Sequence, residues 1–162
     1  VVDGRLIQGV NLIGGEWGHN PLPGAQGDEV PGPVCYCGRT GCIEAFLSGP
    51  SLARDHDQAT GQNLLPMEIA ALAEQGDEEA EASLQRHVDR LARALGSLIN
   101  IVDPDVVVLG GGLSNLGRLY TRVPAIWQRY IFSDVVTTRL VPARHGDSSG
   151  VRGAARLWPE TS

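Results

Sequence analysis

Hydrophobic residues in the middle of the chain recur at intervals of three and four positions, which is the spacing of one helical face. The residues that follow this spacing are Leu84, Val88, Leu91, Leu95, Leu98 and Ile99. Three acidic residues, 77–79, precede them, and carboxylates at the start of a helix are favoured by its dipole. The pair Asp103-Pro104 ends the run, because proline disfavours helical backbone in the residue before it. The pattern predicts one long helix between these two boundaries.

Two shorter helices are predicted ahead of the long one. Ser48-Gly49-Pro50 is typical of a helix start, since proline is favoured at the first helical position, and this helix runs to about residue 59. A second helix covers 66–75 and ends at Gly76, which suits a C-terminal cap. The polar segment 25–32, after a loop-rich stretch, is predicted to be a surface excursion.

Strands are predicted on both sides of the long helix. Residues 1–10 contain two short apolar stretches around an Asp3-Gly4 turn, which predicts a hairpin. The segment 105–109 is a continuous apolar run after its first residue, as expected for a strand covered on both faces. The remaining predicted elements are a helix over 115–131 that Pro124 can interrupt, a strand over 135–141 and a closing helix over 150–158. This order predicts an α/β fold, a mixed sheet with helices on both faces.

Composition and charge narrow the function classes. The chain of 162 residues has a net charge of −6 and a pI near 5.1, so it lacks the basic face that nucleic-acid binding requires. No apolar run approaches the roughly 20 residues that a membrane span needs, and no signal-peptide pattern is present. We therefore expect a cytoplasmic protein with no nucleic-acid or membrane partner. Because Val1 and Val2 already have strand character and no methionine precedes them, we expect the natural N-terminus to lie upstream.

Three cysteines lie in one short stretch, at Cys35, Cys37 and Cys42. An odd number argues against a closed disulfide framework, and the first two are too close for an ordinary bridge. With His19 they form a Cys₃His set, which satisfies tetrahedral zinc and leaves no place for a catalytic water. The set predicts a structural zinc site; the alternative is three buried free cysteines and a surface histidine. The other histidines have no partners at metal-ligand spacing and are assigned no role: His56, His87 and His145.

The segment around the cysteines resembles the ROK family of sugar kinases and repressors. The shared pattern is Glu-x-Gly-His followed by Cys-x-Cys-Gly-x-x-Gly-Cys-x-Glu. The chain matches it at Glu16, Gly18, His19, Cys35, Cys37, Gly38, Gly41, Cys42 and Glu44. The similarity extends through Asp103-Pro104-Asp105, 109–112 and 146–150. Glu-Trp-Gly-His-Asn-Pro-Leu-Pro and His-Gly-Asp-Ser-Ser-Gly-Val-Arg-Gly-Ala-Ala are similar to the bacterial fructokinase (manno-fructokinase) branch.

The resemblance implies a fold and a sugar site. The fold is an actin-like ATPase or ribonuclease H-like lobe, with 1–162 as the C-terminal lobe and a zinc and sugar-binding loop over 16–44. Glu16, His19 and Glu44 are implied to reach the sugar hydroxyls. The chemistry suits this role, because carboxylates accept hydrogen bonds from hydroxyls and a metal-bound imidazole presents its other N–H as a fixed donor.

The resemblance also implies a nucleotide contact at Gly110, Gly111 and Gly112, where backbone N–H groups can approach ATP. The turn alone is a weak nucleotide motif, since Asn115 stands where a third glycine belongs, and a plain tight turn is the alternative.

Kinases of this family resemble one another in an Asp-x-Gly-Gly-Thr phosphate loop, an Asn-Asp catalytic segment and a Gly-Thr-Gly turn, and none of the three occurs here. The resemblance implies that the intact enzyme uses ATP and Mg²⁺ to convert fructose to fructose 6-phosphate, with mannose or glucose as other hexoses, and that it is a homodimer. It places no catalytic residue in this chain, so we expect the chain alone to be inactive. The other functions considered are the sugar-sensing domain of a ROK-family repressor and a zinc-stabilised interaction domain.

Overall fold

The structure, a computed structural model, describes residues 1–155. Its helices and strands in chain order are α1 (Glu44–Leu47), α2 (Gly49–Thr60), α3 (Pro66–Glu74), α4 (Glu78–Val102), β1 (Val106–Leu109), α5 (Leu119–Trp127), β2 (Arg139–Pro142) and α6 (Ser149–Ala155). Short 3₁₀ turns lie at Trp17–His19, Gly27–Glu29, Gly112–Asn115 and Gln128–Tyr130. Among these residues, no helix is both long and apolar enough to cross a bilayer.

The long helix α4 is confirmed and forms the centre of the molecule. Asp77 caps its first turn, because its Oδ1 accepts a hydrogen bond from the Ala80 N–H at 2.8 Å. Asp103 ends it in the left-handed region with a φ of 45°. Helices α2, α3 and α5 all pack against α4, and its apolar stripe, including Leu84 and Leu95, is buried in the main core. The predicted stripe is therefore the face that organises the fold.

The two shorter helices are also confirmed within a residue or two. Both α2 and α3 carry proline in their first turn, where its missing N–H costs nothing. The one-turn helix α1, which the sequence did not predict, begins at Glu44 and ends at the residue before Ser48. It fixes the direction of Glu44, two residues after the last cysteine.

The sheet differs from the prediction in type and in coverage. Strands β1 and β2 pair in parallel, with Val106 opposite Arg139 and Leu109 opposite Pro142, so the expected mixed sheet is not seen among residues 1–155. Val107 and Leu109 pack against the main core, whereas Val106 is 38% and Val108 54% exposed. The expectation that β1 is covered on both faces, by helices on each, is wrong for the described chain: its helices cover one face.

Several element boundaries were also wrong. In the predicted hairpin, residues 1–10, only one isolated bridge forms, between Val2 and Arg5 across the Asp3-Gly4 turn. The predicted helix over 115–131 divides into a 3₁₀ turn, α5 and a second 3₁₀ turn, and Pro124 lies inside α5 without ending it. Strand β2 starts four residues later than expected, because hydrogen bonds of Ser133 and Thr138 hold the preceding residues outside the ladder. The closing helix begins at Ser149, and its predicted end at 158 falls outside the described residues.

Candidate functional site: a histidine and three cysteines beside an acidic pair

The structure brings all four predicted metal ligands together. The ligand atoms of His19, Cys35, Cys37 and Cys42 all lie within 4.8 Å of one another. His19 ends the 3₁₀ turn Trp17–His19, two of the cysteines sit in the following loop, and Cys42 lies two residues before α1. Cys35 and Cys42 are buried, whereas Cys37 is exposed.

A tight turn places the first two cysteines. The N–H of Cys35 donates to the Arg39 carbonyl at 2.7 Å, and the Gly38 N–H donates back to the Cys35 carbonyl at 2.9 Å. Gly38 adopts a φ of 86°, a backbone conformation that residues with a Cβ rarely adopt. At Gly41, a Cβ would lie 2.9 Å from the Pro31 carbonyl oxygen. These two glycines are therefore required by the fold of the cysteine loop.

The distances within the cluster suit a tetrahedral ion. Cys35 Sγ lies 3.6 Å from His19 Nδ1, and Cys37 Sγ lies 3.6 Å from Cys42 Sγ. Zinc–sulfur bonds of about 2.3 Å in a tetrahedron place neighbouring sulfurs about 3.8 Å apart. The pair of sulfurs is thus too far apart for a disulfide and at the separation of two ligands of one ion.

The protein environment separates the acidities of the two thiols. Hydrogen bonds from the Arg39 backbone N–H and then its side chain lower the pKa of Cys37 to about 6. Burial, followed by the contact with Cys37, raises the pKa of Cys42 to about 11. As a thiol, Cys42 donates to the His19 carbonyl at 3.6 Å. Cys37 is therefore more readily deprotonated than Cys42, and a bound cation would favour the thiolate form of its ligands.

The other edge of His19 faces a carboxylate. Its Nδ1 points to the sulfurs, and its Nε2 lies 3.8 Å from Glu44 Oε2. The Glu44 side chain is 45% exposed and that of His19 16%. Gly18 lies against Glu44, since a Cβ built there would be in ordinary van der Waals contact with Oε2 at 3.5 Å. The imidazole therefore connects the cluster to an accessible acceptor.

Two further side chains complete this face of the site. Tyr36, between two cysteines, places its hydroxyl 2.8 Å from His19 Nε2. Its pKa is raised by partial loss of water and then by the negative charges of Glu44, Cys35 and Glu16. The sequence analysis named Glu16, His19 and Glu44 for this site but did not name Tyr36, whose place between Cys35 and Cys37 was the available signal.

Helix α4 anchors the loop behind the cluster. Glu29 accepts hydrogen bonds from Arg90 Nε at 2.8 Å and from Arg93 Nη2 at 2.6 Å. Burial alone would raise the pKa of Glu29, but the hydrogen bonds from Arg93 and Arg90 outweigh it and lower the pKa. Arg93 Nη1 also donates to the carbonyls of Pro23 and Gly24, each at 3.0 Å. The segment predicted as a surface excursion is therefore fixed to the core through Glu29.

The glycine turn after β1 lies open. Gly111 has a φ of 77°, and a Cβ built on any of Gly110, Gly111 and Gly112 meets nothing within 4 Å. Asn115, at the end of the 3₁₀ turn, donates to Asp147 Oδ2 at 3.4 Å, so the turn lies beside the segment 146–150. In the described chain, no hydrogen bond joins this turn to the cysteine cluster.

Comparison with known proteins extends the likeness to the whole chain. An N-acetyl-D-glucosamine kinase from Salmonella typhi is 43% identical over 161 residues, covering 97% of this chain and 53% of the kinase. A ROK hexokinase from Thermus thermophilus superposes with a TM-score of 0.80 at 34% identity, covering 96% of this chain and 50% of that one. A ROK family glucokinase from Streptomyces griseus, solved with glucose and AMPPNP, gives a TM-score of 0.79 at 25% identity over 94% of this chain and 54% of that one.

These likenesses confirm the expected α/β fold of ROK kinases in its general form. The chain spans about half the length of the curated relatives it matches. The model of the ROK family matches residues 1–161. The chain therefore belongs to the ROK family.

Proposed function

We propose that the whole protein is an ATP-dependent hexose kinase and that this chain, residues 1–162, supplies its C-terminal lobe with the sugar-binding and metal-binding loop over 16–44. One observation carries the proposal: His19 presents Nδ1 to three sulfurs and Nε2 to the accessible carboxylate of Glu44. A fixed donor beside a fixed acceptor matches a sugar hydroxyl, which both accepts and donates.

N-acetyl-D-glucosamine is the first substrate to test, because the 43% identical relative is named for it. The fructose specificity expected from the Glu16-Trp17-Gly18-His19 segment has no support from the named relatives, which are an N-acetyl-D-glucosamine kinase, a hexokinase and a glucokinase. Fructose therefore becomes one member of a substrate panel.

The residues expected to hold the sugar are Glu16, His19 and Glu44. With Nδ1 engaged, the proton of the imidazole resides on Nε2, which then donates to a sugar hydroxyl. Glu44, at the start of α1, accepts from that hydroxyl or its neighbour. Because His19 is held between the cluster and the rigid helix start, both groups are oriented before the sugar arrives, which lowers the entropic cost of binding.

The cluster fits zinc by the chemistry of its donors. Three sulfurs and one imidazole nitrogen make a closed tetrahedral set, so zinc bound there would stabilise the loop without taking part in phosphoryl transfer. We infer that His19, Cys35, Cys37 and Cys42 are the ligands. Their shared role is to hold the imidazole in place.

Phosphoryl transfer to the 6-hydroxyl of the hexose further requires nucleotide, Mg²⁺ and a base that deprotonates the hydroxyl. The open turn Gly110–Gly112 offers backbone N–H groups to ATP, and its lack of side chains leaves room for close approach. The chain contains none of the three expected phosphate and catalytic motifs, so this chain alone is expected to be inactive. The homodimer and the cytoplasmic location stay predictions.

A coupled assay of ADP release tests the proposal on the full-length protein. N-acetyl-D-glucosamine, glucose, mannose and fructose are compared at equal concentration, and activity is expected with N-acetyl-D-glucosamine or glucose. Glu44→Gln is expected to weaken sugar binding about tenfold or more, because it removes a charged acceptor, while zinc content stays unchanged. Hexose binding with no ADP release from any sugar would contradict the kinase proposal and favour the sugar-sensing repressor instead.

A further inference from the structure

Tyr36 lies on the solvent-facing side of the site and is itself exposed to solvent. The residue is 81% exposed. Its hydroxyl lies 2.8 Å from His19 Nε2 and 3.5 Å from Glu44 Oε2. Its ring meets the imidazole edge to face, with centroids 5.0 Å apart. Within residues 1–155, the phenol makes no other hydrogen bond.

The phenol hydroxyl does here what a sugar hydroxyl would do. When Nδ1 of His19 is engaged by the cluster, Nε2 carries the proton and the phenol oxygen accepts from it at 2.8 Å, while the phenol O–H donates toward the carboxylate of Glu44 at 3.5 Å. An imidazole with Nδ1 engaged has one remaining N–H, so it can make one strong hydrogen bond on this side. A hexose hydroxyl and the Tyr36 hydroxyl therefore compete for the same donor and acceptor.

The position of Tyr36 in the chain lets the ring move while the loop stays fixed. It lies between Cys35 and Cys37, whose sulfurs belong to the four-ligand cluster, and the N–H of Cys35 is tied to the Arg39 carbonyl at 2.7 Å. A change of side-chain rotamer is enough to clear the site, and exposed rotamers exchange on a nanosecond timescale.

We propose that Tyr36 sets the sugar affinity by occupying the position of a hexose hydroxyl in the sugar-free protein and swinging out when the sugar binds. This inference rests on the proposed hexose site. Because the sugar must first displace one hydrogen bond of ordinary strength, the ring lowers the apparent affinity by about two- to tenfold.

The test compares Tyr36→Phe and Tyr36→Ala with the wild-type protein at full length. Both variants are expected to lower the KM and the Kd for N-acetyl-D-glucosamine by about two- to tenfold with kcat unchanged. Tyr130→Phe is the matched control: it deletes the hydroxyl that donates to Asp89 at 2.6 Å, away from the sugar site, and should leave KM unchanged. Zinc content and melting temperature of each variant verify that the loop is intact.

Each outcome decides between distinct explanations. An unchanged KM in both Tyr36 variants overturns the inference and makes the contact with His19 incidental. A raised KM also overturns it, because Tyr36 would then bind the sugar directly. A wild-type protein that neither binds nor phosphorylates any hexose removes the proposed function, and this inference with it. Wild-type activity with unimproved variants removes the inference alone.

Discussion

The buried histidine His87 makes stability dependent on pH. It lies on α4, is 2% exposed, and its Nδ1 has no hydrogen-bond partner in the part of the chain that the structure describes. Burial, and then the charge of Arg90, lower its pKa from 6.5 to about 4, against a smaller opposite effect of Asp55. His87 is therefore neutral in the folded protein under conditions that protonate it in the unfolded chain.

The direction and size of the effect follow from proton linkage. Between pH 6.5 and 4 the unfolded chain binds one more proton than the folded protein at this position, so the free energy of unfolding decreases as the pH falls. The slope is about 1.4 kcal/mol per pH unit, and the difference in pKa corresponds to about 3 kcal/mol in total. This contribution is fully present above pH 6.5 and is lost by pH 4.

Urea unfolding of the wild type and of His87→Leu at several pH values between 7.5 and 4 measures the contribution of His87 to the free energy of unfolding. Leucine fills a similar volume and does not titrate, so the variant should lose about 3 kcal/mol less than the wild type over this range. Acid also releases any ion held by the cysteine cluster, but His87 is outside that cluster and the loss is common to both proteins. His145→Leu, which removes an exposed histidine, is the control and should behave like the wild type. If the free energy of unfolding changed with pH by the same amount in the wild type and in His87→Leu, the lowered pKa of His87 in the folded protein would be refuted.

Two further predictions concern the loop that carries the cluster. Cys37→Ser should lose zinc and lower the melting temperature together, since a structural ion contributes its binding energy to folding; unchanged metal content by elemental analysis and an unchanged melting temperature would rule out a structural zinc. Glu29→Gln should cost about 2–3 kcal/mol in urea unfolding, because it leaves Arg90 and Arg93 without their shared, nearly buried anion. Glu81→Gln, which breaks a more exposed pair with an arginine, should cost less than about 1 kcal/mol, and equal losses would contradict a special role for Glu29.

Local sequence signals were enough to predict three of the helices, α2, α3 and α4. The boundaries of α2, α3 and α4 follow from proline in the first turn, the Asp77 cap and the three- and four-residue spacing of apolar positions. Each of these features acts within one or two turns of the chain. Because these causes are local, the boundaries of the three helices could be predicted without knowledge of the tertiary contacts.

For the strands, the local sequence predicted their presence but not which of their faces are covered. Val106 and Val108 belong to a continuous apolar run, yet they are exposed while Val107 and Leu109 face the core. The type of a strand's partners and the coverage of its faces depend on residues far away in sequence. An apolar pattern alone could therefore identify β1 but could not say which of its faces the described chain covers.

The candidate site also combines residues that the local sequence could identify with contacts that depend on distant residues. The clustering of the histidine and the three cysteines was predictable because thiols and an imidazole are rare and chemically specific, whereas the salt bridges of Glu29 join residues more than sixty positions apart and leave no local pattern. Those ion pairs fix the segment 23–29 to α4, and that segment leads to Pro31, whose carbonyl packs against Gly41 beside Cys42. The cluster is thus constrained from within by the tight turn between Cys35 and Arg39 and from behind by the longest helix. Because both constraints act on the backbone between His19 and Glu44, the donor and the acceptor stay fixed while Tyr36, whose hydroxyl contacts them by hydrogen bonds of ordinary strength, remains free to move.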